Sequence, residues 1–192
     1  MLVLVFGLLI FLGVHSIRIF ANDWRSAQIA RLGDSTWKGM YSVASLIGLG
    51  LIIWGFGMAR STPVAIWSPP EWTRHLAALL MLLAMILLVA AYVPGNRLKA
   101  KIGHPMLAGT KTWAVAHLLA NGNLVDVVLF GAFLIWSIAA FATSRRRDRA
   151  AGVSYPALGI GRDLLTLAIG VIVWVLFAHY VHLWLFGVRP FA

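Results

Sequence analysis

The chain has 192 residues, 61% of them hydrophobic and only 11% charged, with a mean hydropathy of +0.87, against roughly 25% charged residues in ordinary soluble domains. That composition predicts an all-α integral membrane protein formed by one transmembrane domain over residues 1–192. The net charge of +10 accords with membrane topology rather than nucleic-acid binding, since no basic domain stands outside the apolar runs.

The first charge-free run, Met1 to Ile17, has no basic residues ahead of it and no small-residue cleavage pattern after it, so it reads as a retained helix rather than a signal. Ala21 to Trp37 reads as an interfacial amphipathic segment ended by Gly33, with Asp34 or Ser35 placed to cap the next helix. The second run is Gly39 to Ala59, and the proline- and tryptophan-rich STPVAIWSPPEW follows as an interfacial loop. The third run is His75 to Asn96. A fourth span is expected from Pro105 to Ala120, where Lys111 must snorkel or face the bundle interior. The turn signal NGN at Asn121 to Asn123 predicts a tight hairpin with the fifth run, Val127 to Ser144. SRRRDR at Ser144 to Arg149 then reads as a topology anchor, or as a contact for anionic lipid, and Leu164 to Val188 is the last run.

Most of these runs approach the ~20 residues that a membrane-spanning helix needs. The expected architecture is a bundle of six transmembrane helices, or five if Lys111 keeps the fourth out of the bilayer. With six spans, thirteen of the sixteen Lys and Arg fall in the connections after spans one, three and five. Basic residues favour the cytoplasmic side, so both termini are expected to be non-cytoplasmic.

The absence of cysteine excludes disulfides, thiolate metal sites, iron–sulfur clusters and a cysteine nucleophile. The six acids, Asp23, Asp34, Glu71, Asp126, Asp148 and Asp163, lie in connections or at span ends, so no buried carboxylate pair is expected. Histidine remains as ligand chemistry. His117, in TWAVAHLLANG, has no charge in its own stretch to pair with, and a neutral imidazole there either bonds a backbone carbonyl or ligates a metal or haem iron. His15 has Arg18 three residues on and so on the same helical face. That spacing lets His15 bind iron while Arg18 meets a haem propionate, or lets the two snorkel together at the rim. His179 and His182 share a face by i, i+3 spacing, as two metal ligands or as part of an interfacial polar belt with Tyr180 and Trp184. His75 and His104 read as rim residues.

HSIRIF in the first run, RLGDSTWKGMYSVASLIGLGLIIWGF after it, and GHPMLAGTKTWAVAHLLANGNLVDVVLFGAF together resemble the NnrU family of bacterial membrane proteins. The resemblance implies a multi-pass protein of the cell inner membrane, with the lipid bilayer and a redox or reductase protein as partners and no nucleic acid. It further implies a role around nitrite and nitric oxide reduction (denitrification), and a likeness to plant zeta-carotene isomerase, a membrane haem b enzyme. From that likeness His15 and His117 are implied as axial ligands of haem b, with Arg18 or Lys111 meeting the propionates. The plant enzyme's cysteine three residues before its second ligand corresponds here to Ala114, so thiolate exchange does not carry over. Many relatives carry a basic residue before the His-Pro pair, where this chain has Gly103, so an anion contact there would fall to Lys99 or Lys101.

With straight spans, His15 lies about 15 Å deeper than His117 at 1.5 Å per residue, which strains a shared iron and makes His179 the substitute partner for His117. Helical phase over thirteen residues points His104 and His117 to nearly opposite sides. Two alternatives stand beside haem binding. HPMLAG at His104 to Gly109 resembles the motif of the isoprenylcysteine carboxyl methyltransferases, although Leu107 replaces their tyrosine and no glutamate follows Glu71. A cofactor-free assembly partner of a reductase is the third reading.

Overall fold

The structure, a computed structural model, describes residues 1–190. Among these, the helices are α1 Leu2–Phe20, α2 Asn22–Leu32, α3 Asp34–Arg60, α4 Trp72–Tyr92, α5 Arg97–Ile102, α6 Pro105–Ala120, α7 Leu124–Ala150 and α8 Ile160–Leu176. A π turn, Phe177–Val181, carries α8 on into α9, His182–Phe186. Five of these elements, the last running from Ile160 to Phe186, are long and apolar enough to cross a membrane. Helix α6 has the bounds expected of the fourth span, but at 16 residues it is shorter than those five.

Side by side, the long helices follow the spatial order α3, α1, α7, α6, α4, α8, so α1 and α7 touch although more than a hundred residues separate them. The α1–α3 pair is close because Gly7, Gly48 and Gly55 meet the partner backbone directly: a Cβ on Gly55 would stand 2.3 Å from Leu4 N. Small residues at a lipid-embedded interface permit such approach, since packing rather than hydrophobic exclusion drives helices together there. Leu4, Leu8, Ile52, Ala114, Val125 and Phe130 fill the core between α1, α3, α6 and α7. Leu2, Phe6, Leu9, Ile53 and Trp54 on α1 and α3, and Ile172 and Trp184 near the C-terminus, are exposed, as lipid-facing residues are.

The two ends of the bundle differ. At one end Arg147 Nη1 of α7 donates to Arg18 O of α1 at 3.1 Å, and Arg97 N donates to Asp163 Oδ1 of α8 at 2.7 Å. This is the basic end. Asn96, fully buried there, serves two helices at once. Its Nδ2 donates to Ala90 O of α4 at 2.8 Å, and its Oδ1 accepts Lys99 N of α5 at 2.7 Å. At the other end the loop between α3 and α4 lies across the α6–α7 turn. Ile66 N donates to Gly122 O at 2.7 Å and Leu124 N to Val64 O at 2.8 Å. The helices therefore alternate in direction with α6 among them, and the hairpin expected from NGN is present. Asn123 and Asp126 form a capping box that starts α7.

One capping expectation is corrected. Gly33 is the N-cap of α3 and makes no side-chain cap bond, while Asp34 is already helical and pairs with Lys38. A first-turn acid answers the helix dipole from within the helix.

Candidate functional site

Helix α7 organises the candidate residues. Phe130, Phe133 and Trp136, each three residues from the next, form a stripe of adjacent rings that winds along α7. His117 of α6 stacks on Phe130 with ring centroids 4.4 Å apart, and His15 of α1 stands edge-on to Trp136 at 6.0 Å. Between the two imidazoles lie three rings in contact: Phe11 at 4.2 Å from His15 and 5.8 Å from Phe133, and Trp113 at 5.5 Å from Phe133 and 5.3 Å from His117. Tyr41 of α3 closes the His15 side at 5.2 Å.

Six residues of α7 separate the ring partners of the two histidines, a rise of about 9 Å along its axis, and the loop 61–71 covers the outer turn of α6.

The imidazoles share a local arrangement. His15 Nδ1 lies 2.6 Å from Phe11 O, and His117 Nδ1 lies 2.9 Å from Trp113 O, each four residues back on its own helix. A carbonyl can only accept, so Nδ1 carries the proton and, in the neutral ring, Nε2 is left with its lone pair. Metal-ligating histidines are commonly oriented in this way. Ala114, one turn before His117, is fully buried and offers no donor of its own. Beside His15, Trp136 Nε1 is buried and has no hydrogen-bond partner among the described residues.

The remaining candidates are distributed elsewhere. Lys111 faces the bundle interior, with Nζ 3.8 Å from the centroid of Phe141 on α7. Arg18 lines a cavity at the basic end. His179 lies in the π turn and is exposed. It is His182 that comes within electrostatic range of His117, with its own Nδ1 2.8 Å from Val188 O. The i, i+3 face expected for the two residues assumes α-helical phase, which the wider turn alters.

His104 stands at the rim as expected, but its direction differs from the one helical phase predicts. It is the N-cap of α6, with φ −119 and ψ 67, so helical phase does not set its direction. Its ring turns back to α7, 6.4 Å from Phe141, and Nε2 lies 2.8 Å from Asp148 Oδ2, close but not aligned as a hydrogen bond. Tyr155 OH donates to the same carboxylate oxygen at 3.1 Å. Burial raises the Tyr155 phenol above its ordinary value, and the bond to Asp148 raises it further. Sequence reasoning passed over Trp136, Asp148 and Tyr155; the one available signal was Asp148 as a lone acid within SRRRDR.

Comparison with curated proteins and with solved structures finds no match. The comparison with protein families does: the family model described as NnrU protein matches residues 3–190, nearly the whole chain. A bundle of long apolar helices matched over residues 3–190 belongs to the NnrU family.

Proposed function

We propose that the chain is a haem b-binding membrane protein acting in the redox chemistry of nitrogen oxides, with His15 and His117 as iron donors. One observation carries the reading: both imidazoles commit Nδ1 to a carbonyl of their own helix and keep Nε2 as a free donor on a shared aromatic face. The donor set suits a b-type haem, which needs neutral imidazoles and apolar walls but no thiolate or carboxylate. The orphaned N–H of Trp136 supports a bound group at the level of His15, because a buried donor without an acceptor is costly. When bound, the iron would supply one-electron transfer and a position for a small ligand such as nitric oxide.

The chain's own contribution is to hold and shield. Carbonyls of Phe11 and Trp113 fix the two imidazole rings, and Phe130 and Trp136 set their levels on α7. Phe11, Phe133 and Trp113 stand between those levels and must part to admit a macrocycle shared by both histidines. Held by one histidine alone, it leaves them in place. The cation-lined cavity beside HPMLAG suits an anion, not the sulfonium of S-adenosylmethionine, so it lends the methyltransferase reading no support.

The test is an absorption spectrum of detergent-purified protein expressed with ample haem. A Soret band that shifts with dithionite and again with nitric oxide is expected, and it should be lost in His117→Ala and in His15→Ala if the iron is shared. Wild-type protein without a Soret band would sink the proposal.

A further inference from the structure

At the basic end, α1, α4, α5, α6, α7 and the link 151–159 line an open cavity of about 530 Å³. Three cations from three helices line it: Arg18, Lys99 and Arg147. A fourth comes close where Gly103, at φ +78, has no side chain and Arg145 Nη1 stands 2.7 Å from the position a Cβ would take. The single acid in the lining is Asp148, whose Oδ2 is already approached by Tyr155 OH and His104 Nε2. The cavity is thus left with unbalanced positive charge.

Its donors are also underused. Among the described residues no carboxylate lies within ion-pair distance of Arg18, Lys99 or Arg147. Arg147 donates to Arg18 O and Ser144 Oγ, and Lys99 Nζ to Ala91 O, which leaves N–H groups of both side chains over. Met106 and Leu107, in the first turn of α6, border the same space, where backbone N–H groups have no partner within their own helix. Ala91, Pro105, Leu107 and Val153 add an apolar wall.

We propose that this cavity binds a phosphate monoester, its dianion held by Arg18, Lys99 and Arg147 at the N-terminus of α6 and its organic part on the apolar wall. The excess of cations over acids sets the charge of the ligand. The volume exceeds what one phosphate requires, and with the apolar wall it leaves room for an organic portion. Two sources present this chemistry at a membrane rim: a phosphatidic acid headgroup and a soluble phosphorylated metabolite. The site is separate from the histidine pair, and its test needs no bound haem.

The full chain, purified in detergent, is titrated with inorganic phosphate against chloride at matched ionic strength, with thermal unfolding as the readout. In a parallel arm it is placed in nanodiscs of phosphatidylcholine with and without phosphatidic acid. Stabilisation by phosphate alone identifies a soluble ligand, and stabilisation by phosphatidic acid identifies the lipid. Arg18→Gln and Lys99→Gln should each weaken binding about tenfold, whereas Arg146→Gln, on the exposed side of α7, should leave it unchanged. If neither probe stabilises the wild type, or if Arg146→Gln matches Arg18→Gln, the proposal fails.

Discussion

Trp136 shows how much a single side chain can say about a site. Its Nε1 is buried without a partner beside His15, and an unsatisfied buried donor costs about 1–3 kcal/mol. Trp136→Phe is therefore expected to leave the ligand-free protein as stable as the wild type or slightly more so, while weakening haem retention about tenfold, the equivalent of one hydrogen bond. Paired melting curves and haem-transfer rates check both halves. Tyr155 gives a second prediction. Its phenol titrates above the ordinary value because of partial burial and its bond to Asp148. Its contribution to stability is therefore complete below about pH 10 and lost as pH rises through the folded value. The melting difference between wild type and Tyr155→Phe should stay constant across neutral pH and close only in strong alkali. Neither residue could be singled out by sequence: a tryptophan in an apolar run reads as core, and Tyr155 lies seven residues from the acid it serves.

At the level of elements, the short helix α6 and its turn decide where His117 sits. Gly122 is buried under the loop between α3 and α4, and a Cβ there would meet Trp67 O at 1.9 Å. Gly122→Ala should thus lift that loop and destabilise the hairpin by about 2 kcal/mol, read as faster proteolysis within residues 62–71 and a lower melting temperature. The sequence showed NGN as a turn and Pro105 to Ala120 as a helical run, and both are present. What it lacked was the pairing of Gly122 with Ile66, a contact between segments more than fifty residues apart. That pairing lays the loop across the turn, while the ring partners of the two histidines stand about 9 Å apart along α7. Near the C-terminus the π turn holds an exposed His179, and the half-buried His182 that follows it lies in electrostatic range of His117.

For the whole molecule, the alternation of helix ends gathers the basic connections at one end and the loop 61–71 at the other. Because the chain has no cysteine, single substitutions report sidedness cleanly. Arg149→Cys should react with an impermeant maleimide only from the cytoplasmic side, and Ser61→Cys only from the opposite side; labelling of both from one side would overturn the six-span topology. Composition and the spacing of apolar runs determined the class, the approximate placement of the long helices and the clustering of charge, because a bilayer imposes length and polarity rules that each segment obeys by itself. The lateral order α3, α1, α7, α6, α4, α8 was decided only in the folded structure. It depends on glycines that admit a neighbouring backbone and on rings that meet across helices distant in sequence. The same order turned His15 and His117 toward one face of α7, and it set His104, Asp148 and Tyr155 around a cavity that no single segment encodes.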